Sequence, residues 1–492
     1  MDSLAFLCAR HVVAHHPLPA LPSGLYPILF QVAFLDGRPL VLRDLVATWP
    51  FSELHSQKLV GHHKLLRDHS CKDCVQAVIQ AVVEQLKREL EEPGCHSSLR
   101  MLDMTGLSDS VPGRTPAGLN TSFITGVLAK ACVEVSKYQQ EFQWCGFKRH
   151  KGHSGAATAA PQSPGVDIHA DLCIDVWSDK LQCDALQAGA AGLLRLKCRE
   201  FQAGYIPASR IVTLLESLDP SSLRRVNLCF SSLGLTGLSV ILPHLFRFPE
   251  LRSLKLWYCD VDLRHPTPDM AKRIRCVSRQ LGMLSSLREL NLRSSPLSGN
   301  LCHILCDLQA PLESLELAFC SLLPTDLAFL SQSFHAPALK ILDLSGHNFS
   351  QGLLEPLRLL LEKTSASLLY LDLMGCFMTD SHLDMLIPTF LRCSRLRFLG
   401  LYHNPLSMAA LKDLLQKTLE LPDLQLVMYP HPKECYRGDP SRFGWDFKED
   451  VDEELLAAAA AEISQLLENS GRTNLVWTYK PNAHIALDYF SF

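Results

Sequence analysis

The sequence lacks the features that define several large classes of protein. It contains no apolar run of membrane-spanning length and no charged start followed by a short apolar stretch, so we expect neither a membrane span nor a secretory signal. Its formal net charge is only −4, which disfavours a general binder of nucleic acid or acidic membranes. The 18 cysteines are scattered along 492 residues, so we expect reduced thiols. These observations predict a cytoplasmic protein, with nuclear access as an open alternative.

Motifs for catalysis and cofactor binding are also missing. The sequence has no G-x-x-x-x-G-K-S/T phosphate loop, no H-E-x-x-H zinc motif and no G-x-S-x-G nucleophile turn. One segment, 61–74, has the chemistry of metal ligands, in the side chains of His62, His63, His69, Cys71 and Cys74. A structural zinc site needs a second ligand pair at matching spacing, and the apolar residues 75–86 predict that the two cysteines begin an ordinary helix. We therefore expect no enzyme, no cofactor and no metal.

A leucine-rich pattern dominates the second half of the chain. Seven segments fit L-x-x-L-x-L-x-x-N/C-x-L or a close variant, and they begin at Leu223, Leu251, Leu287, Leu312, Leu339, Leu368 and Leu396. In such repeats the alternating apolar residues form short parallel strands, the Asn or Cys bonds the backbone of the turn, and the remaining residues return as a helix. The pattern predicts an α/β leucine-rich-repeat solenoid, a curved horseshoe with its parallel strands on the concave face.

Departures from the pattern divide the chain into four predicted segments. Residues 1–98 form a helical N-terminal region, 99–222 degenerate repeats with a flexible insertion at 150–165, 223–430 regular repeats, and 431–492 a C-terminal cap. The step from Leu251 to Leu287 is longer than the others, and its extra residues at 264–274 predict an insertion in a loop. Ser231, Ser295 and His347 replace the Asn or Cys of the turn, so we expect their turns to be less well satisfied.

Side chains between the core positions of each strand point away from the core, because strand side chains alternate. The predicted protein-binding face contains Lys255, Trp257, Arg293, Glu316, Asp343, Tyr370, Asp372 and Tyr402. Three of these residues are carboxylates on adjacent strands, an arrangement that disfavours folding by itself. A basic segment of a partner could relieve this repulsion, or water and neighbouring lysines and arginines could screen it. The sequence favours neither interpretation.

Several longer stretches resemble the PRAME family of intracellular leucine-rich-repeat proteins. They are 21–51 with its WPF at 49–51, LRMLDMTGL at 99–107, NPLSMAAL at 404–411 and IALDYFSF at 485–492. The resemblance implies a cytoplasmic, non-enzymatic binding protein. It implies a negative regulator of Toll-like-receptor signalling to NF-κB that engages the IκB kinase β subunit. It also implies the alternative that the chain is a substrate receptor of a cullin-2 ubiquitin ligase, as other family members are.

Two short patterns near the N-terminus bear on that alternative. Ser3-Leu4-x-x-x-Cys8-x-x-x-Val12 resembles an elongin-binding box, and Leu21-Pro22-x-x-Leu25-x-x-x-Leu29 resembles a cullin-2 box. Residues four apart form a stripe on a helix that can enter a groove of a partner, here elongin B/C. The competing interpretation is that Leu4 and Val12 pack the first helix onto its own domain.

Overall fold

The computed structural model describes residues 3–60, 72–92, 97–107, 121–150, 164–175, 185, 192–264, 267–437 and 451–479. The chain forms two compact units, Met1–Asn227 with Arg247–Leu251, and Leu228–Phe246 with Arg252–Phe492. Within the described residues, no helix combines the length and the apolar character needed to cross a membrane. The four segments that the sequence predicts remain a prediction.

The first unit combines helices with four parallel strands. Its helices are α1 (Leu4–Ala14), α2 (Tyr26–Leu35), α3 (Pro39–Ala47), α4 (Ser56–Val60), α5 (Lys72–Glu91), α6 (Thr121–His150) and α7 (Ala208–Ser217), with a 3-10 turn at Ser23–Leu25. Its strands are β1 (Glu53–His55), β2 (Met101–Asp103), β3 (Val166–Ile174) and β4 (Leu194–Gly204), and each pairs in parallel with the next. Strands β2 and β4 lie where the sequence predicts weak repeats.

Aromatic packing around Trp49 explains the WPF motif of the first unit. Trp49 is buried, and its indole N–H donates a 3.0 Å hydrogen bond to the carbonyl of Glu53 at the start of β1. Its ring lies edge-on to the rings of Tyr26, Phe30 and Phe51, at centroid distances of 5.8 to 5.9 Å. A buried indole needs both an apolar shell and a hydrogen-bond acceptor. The motif therefore joins α2 to the first strand.

The second unit is an α/β leucine-rich-repeat solenoid, as the sequence predicts. Its strands are β6 (Ser253–Lys255), β7 (Glu289–Asn291), β8 (Ser314–Glu316), β9 (Ile341–Asp343), β10 (Tyr370–Asp372), β11 (Phe398–Gly400), β12 (Leu426–Met428) and β13 (Val476–Thr478). Each pairs in parallel with the next one in the sequence. Strand β5 (Arg225–Cys229) contains the division in sequence between the two units.

Helices return the chain between successive strands of the second unit. They are α8 (Gly234–Leu245), α9 (Pro268–Gly282), α10 (Leu301–Leu305), α11 (Pro324–Gln332), α12 (Leu354–Thr364), α13 (Asp380–Arg392), α14 (Met408–Thr418) and α15 (Glu453–Asn469), with 3-10 turns at Ala336–Ala338, Phe349–Gln351 and Lys433–Cys435. The predicted loop insertion at 264–274 is wrong for most of its length. Thr267 caps α9 by accepting the N–H of Met270, and Pro268 begins the helix, so the extra residues lengthen a helix.

The turn residue of each repeat decides how well its backbone is satisfied. Asn404 makes four hydrogen bonds, two accepted from N–H groups of Cys376 and Met378 and two donated to carbonyls. A cysteine such as Cys320 donates its thiol to the carbonyl of Leu292 in the preceding repeat, at 3.1 Å. Within the described chain the hydroxyl of Ser295 and the Nε2 atom of His347 are buried without a partner. The expectation of poorly satisfied turns is confirmed at these two positions and is wrong at Ser231, whose hydroxyl donates a 3.2 Å hydrogen bond to the carbonyl of Cys229.

The end of the second unit has the predicted helix and strand. Asp452 caps α15 by accepting the N–H groups of Glu454 and Leu455. After the helix, Arg472 donates hydrogen bonds of 2.6 to 3.4 Å to the carbonyls of Leu419, Leu421, Pro422 and Leu424, which follow α14. This arginine ties the last helix to the preceding repeat. Residues 485–492 and most of the insertion at 150–165 lie outside the described residues.

Candidate protein-binding site

One row of side chains crosses the strands of the second unit at the same register. Its members occupy the last position of β6 to β11, and they are Lys255, Asn291, Glu316, Asp343, Asp372 and Gly400. Neighbouring strands in a sheet are separated by about 4.8 Å, so charged members of the row interact directly. The register therefore brings the three predicted carboxylates together on adjacent strands.

Glu316 is the partly exposed member of the three carboxylates. The side-chain amide of Asn291 donates a 2.6 Å hydrogen bond to Glu316 Oε2, and Lys255 Nζ lies 3.9 Å from Glu316 Oε1. Burial raises the pKa of Glu316 above its ordinary value. The partners of Glu316 come from both earlier strands, so a lysine and an amide within the chain compensate its charge.

Asp343 and Asp372 are buried, so the prediction that three carboxylates lie exposed on adjacent strands is wrong for two of them. Their exposed fractions are 7% and 3%. Asp343 Oδ1 accepts the N–H of Ser345 at 2.9 Å, and Asp372 Oδ1 accepts the N–H of Met374 at 3.0 Å. Each carboxylate therefore caps the backbone turn that follows its own strand. Burial and the neighbouring Asp343 raise the pKa of Asp372 above its ordinary value.

Gly400 makes room for the Asp372 carboxylate. A β-carbon at position 400 would lie 2.6 Å from Asp372 Oδ1, closer than real β-carbons approach. The hydroxyl of Tyr370 lies on the same strand and donates a 3.1 Å hydrogen bond to Asp372 Oδ2. The glycine in the strand of the seventh repeat is therefore required by the aspartate on the neighbouring strand, a dependence that the repeat pattern alone does not reveal.

Aromatic rings surround the polar row at its two ends. At the early end, the ring of Phe230 stacks on Tyr258 at 5.0 Å and meets Trp257 edge-on at 4.8 Å. The guanidinium of Arg293 lies 5.5 Å from the ring of Phe319, within the range of a cation–π contact. The predicted residues Trp257 and Arg293 thus belong to an aromatic and cationic surface that includes rings absent from the prediction.

At the late end of the row, apolar side chains form a continuous cluster. The rings of Tyr370 and Phe398 stack in parallel at 4.2 Å. Phe398 is buried with Leu426 and Met428, and the partly buried Tyr402 packs against this group. Burial raises the pKa of Tyr402. Tyr370 and Tyr402, both predicted face residues, therefore border an apolar part of the sheet surface.

The N-terminal helix presents the predicted elongin-box residues on its open side. Leu4 is 77% exposed, Cys8 is exposed and Val12 is partly buried. Packing of α1 depends instead on Ala9 and Val13, which are buried. The hydroxyl of Ser3 accepts the N–H of Phe6 at 3.2 Å and so begins the helix.

The predicted cullin-box residues do not share one open surface. Pro22 and Leu25 are exposed, and Leu21 is partly buried. Leu29, in α2, is only 2% exposed. The expectation of a common partner-facing stripe is wrong for Leu29, because α2 turns this side chain into the core of the first unit.

The residues considered for zinc lie mostly outside the described part of the chain. His62, His63, His69 and Cys71 fall within the undescribed stretch 61–71. Cys74 is buried in α5, and its thiol lies 4.0 Å from the carbonyl of Phe34. Among described residues, no group of three or more histidines, cysteines or acidic residues is placed to hold a metal ion.

Comparison with known proteins identifies the family. A model of the PRAME C-terminal domain matches residues 180–488, and a model of the PRAME N-terminal domain matches residues 6–109. The chain belongs to the PRAME family. The resemblance found in the sequence is thereby confirmed, and the matched residues include most of the helical first region and all of the regular repeats of this PRAME family member.

Relatives that match over their whole length are named as leucine-rich-repeat proteins. The chain is 42% identical over 511 residues to Leucine-rich repeat-containing protein 14 of Xenopus laevis and 40% identical over 514 residues to that of Homo sapiens, covering 100% of both chains each time. A chain in the crystal structure of the yeast Rad7 and Elc1 complex aligns at 12% identity and a TM-score of 0.42, covering 89% of this chain and 97% of that one. That similarity is too weak to support an inference about partners.

Proposed function

We propose that this PRAME family protein is a non-catalytic adaptor that binds a protein partner on the strand face of its second unit. The observation that carries this proposal is the in-register row from Lys255 to Gly400, flanked by partly exposed rings and cations. Repeat solenoids use such extended surfaces for binding. Partly exposed aromatic and arginine side chains are also the residue types that dominate binding energy at protein interfaces.

The partner that we propose for this face is the IκB kinase β subunit. This choice rests on the family resemblance of the sequence, while the geometry supports only a protein partner. Binding to the kinase would occlude one of its surfaces and restrain Toll-like-receptor signalling to NF-κB. We place this activity in the cytoplasm, with nuclear access as the alternative compartment.

Replacing Lys255 and Trp257 together by alanine should weaken capture of IκB kinase β by about tenfold or more, the effect typical of a binding hot spot. Both side chains are partly exposed, and Glu316 keeps its hydrogen bond from Asn291 when Lys255 is removed, so the folded double variant should lose only part of its stability, through the lost contacts of Lys255 with Glu316 and of Trp257 with Phe230. Capture from purified kinase subunit, measured by biolayer interferometry, tests this. The matched control replaces Met385 and Arg395, an exposed apolar residue and an exposed cation elsewhere in the repeats, by alanine. Equal capture by the folded double variant and the control would contradict the strand face as the kinase site.

A second candidate function is that of a substrate receptor in a cullin-2 ubiquitin ligase. The exposure of Leu4 and Cys8, on a helix whose packing depends on other residues, supports it. An exposed stripe of this kind fits recognition of a helix in a groove. Contact with cullin-2 would depend on Leu21, Pro22 and Leu25, since Leu29 is buried.

Changing Leu4→Ala together with Cys8→Arg should abolish capture of elongin B/C, and with it cullin-2, at an unchanged unfolding midpoint. Leu4 would lose an anchor worth about 1.5 to 3 kcal/mol when fully buried in a partner, and the arginine would place an unpaired charge in an apolar groove. Co-purification and thermal unfolding are measured on one sample, with Leu40→Ala as the control for an exposed leucine in another helix. Elongin retained by the double variant would contradict recruitment through this helix. Proteasome inhibition adds a cellular readout. A substrate receptor directs its bound partner to degradation, so only in that case should the partner accumulate when the proteasome is inhibited.

A further inference from the structure

The longest step between repeats produces an unusual helix on the side of the second unit away from the polar row. Helix α9 has 15 residues, whereas the next two repeat helices have 5 and 9. Its inner face is formed by Ile274, Val277 and Leu281, all buried. The extra length therefore adds outer surface as well as packing.

The outer face of α9 carries a stripe of cations. Lys272, Arg275 and Arg279 are exposed and follow one another at spacings of three and four residues, which places them on one side of a helix. At 1.5 Å per residue the stripe is about 10 Å long. Within the described chain no ion pair joins any of the three to a carboxylate, and the single acidic residue of the helix, Asp269, pairs with Arg273 at 3.1 Å.

Stabilisation of the helix itself does not account for this stripe. A cation in the last turn, such as Arg279, interacts favourably with the helix dipole, but Lys272 and Arg275 lie outside the last turn and gain no such stabilisation. Like charges three and four residues apart also repel one another. The stripe therefore weakens an isolated helix, and an external anion would relieve the repulsion.

We propose that the outer face of α9 binds an acidic segment of a partner protein, in which about three carboxylates are followed by an apolar residue. Met283 lies one turn beyond Arg279 and is 65% exposed, so it would contact the apolar residue. The stripe is too short for the many phosphate contacts of a nucleic acid, and the chain's net charge of −4 opposes a long polyanion. A membrane surface fits poorly, because the apolar side of α9 is buried in the repeats and cannot insert between lipids.

The experiment uses the full chain and a fluorescein-labelled peptide of six glutamates followed by leucine, with binding measured by fluorescence anisotropy. We expect saturable binding that weakens with added salt. The variant Lys272→Glu, Arg275→Glu, Arg279→Glu should weaken it by about tenfold or more at an unchanged unfolding midpoint. Should the reversed charges disturb folding, the same three residues changed to glutamine preserve the test, because glutamine is a good helix former. The variant Met283→Ser should weaken binding of the peptide that ends in leucine, but it should not change binding of hexaglutamate alone.

The matched control changes three exposed cations on other elements, Arg38, Lys363 and Arg395, to glutamate, and so changes the net charge equally. Equal weakening by the two triple variants would overturn the proposal, since net charge alone would then explain binding. The proposal would also be overturned if binding of the peptide to the unmodified protein did not saturate. So would tighter binding to phosphatidylserine vesicles or to a DNA duplex than to the peptide. None of these outcomes affects capture of the kinase subunit through Lys255 and Trp257, so the two proposals fail separately.

Discussion

Replacing Leu317 by alanine is expected to lower the free energy of unfolding of the second unit by about 2 to 5 kcal/mol. Leu317 is fully buried directly after β8, and it occupies the third leucine position of its repeat. Alanine keeps the backbone hydrogen bond from the N–H of residue 317 to the carbonyl of Asp343, 2.8 Å long, so the loss comes from burial and from the cavity that remains. Each repeat contacts its neighbours, so the cavity weakens two interfaces.

The lost free energy of unfolding is measured by urea unfolding, with tryptophan fluorescence as the signal. The control is Leu359→Ala in α12, the same chemical change at an exposed position of the same unit. We expect the control to change the unfolding free energy by no more than about 0.5 kcal/mol, as surface substitutions usually do. Equal losses from the two variants would show that Leu317 does not belong to the core and that the repeat register is wrong.

The register of the repeat strands could be predicted because the same leucine pattern occurs in seven segments of the chain. Segments beginning at Leu312 and Leu339 place their strands at Ser314–Glu316 and Ile341–Asp343, and the others agree in the same way. An error of one residue would turn every leucine of a strand outward, so burial fixes the register firmly. The seven repeated patterns therefore determined the fold of the second unit more strongly than any single segment could.

The strands of the first unit were harder to predict because they keep that pattern only in a weak form or lack it. Strand Val166–Ile174 has nine residues and alternates buried with partly buried positions throughout, while strands β6 to β13 have three each. It pairs with Leu194–Gly204 through an irregularity between Ala170 and Leu172. The segment falls within the predicted degenerate repeats at 99–222, but without a clear repeat pattern the length and register of this strand could not be predicted.

The strand positions of the predicted face residues follow from the repeat pattern, but their burial does not. Alternation places Asp343 and Asp372 at the last position of their strands, yet it cannot tell an exposed carboxylate from one that turns back to cap a backbone N–H two residues later. A short polar side chain can make this bond, whereas the longer Glu316 reaches Asn291 on the neighbouring strand instead. Charge reversal at either aspartate would bury an unpaired cation, so the binding test above uses Lys255 and Trp257.

A left-handed residue after each repeat strand was also missed. The backbone φ is positive at Phe230, Tyr258, Ser294, Phe319, Gly346, Gly375 and His403, one position in each of the seven repeats. Glycine marks this conformation at two of them, but aromatic residues occupy it at three others, where a sequence gives no such signal. Phe319 and Gly346 are successive members of this series, and the ring of Phe319 occupies the space in which a β-carbon of residue 346 would lie.

Replacing Gly346 by alanine is therefore expected to destabilise the second unit by about 2 to 5 kcal/mol, the sum of about 1 to 2 for a left-handed backbone and about 1 to 3 for overpacking. Gly346 has a φ of +77°, and a β-carbon there would lie within 3.0 Å of the ring of Phe319. The control Gly471→Ala isolates the backbone contribution, because Gly471 has a φ of +71° with no atom near its missing β-carbon.

A double-mutant cycle separates the ring from the backbone in this prediction. With Phe319→Ala already present, Gly346→Ala should lose its overpacking contribution and destabilise the unit by about as much as Gly471→Ala does, near 1 to 2 kcal/mol. Unfolding free energies in urea of the two single variants, the double variant and the control complete the cycle. Equal effects of Gly346→Ala with and without the Phe319 ring would contradict the prediction, because the ring would then not occupy the space that a glycine at position 346 leaves open.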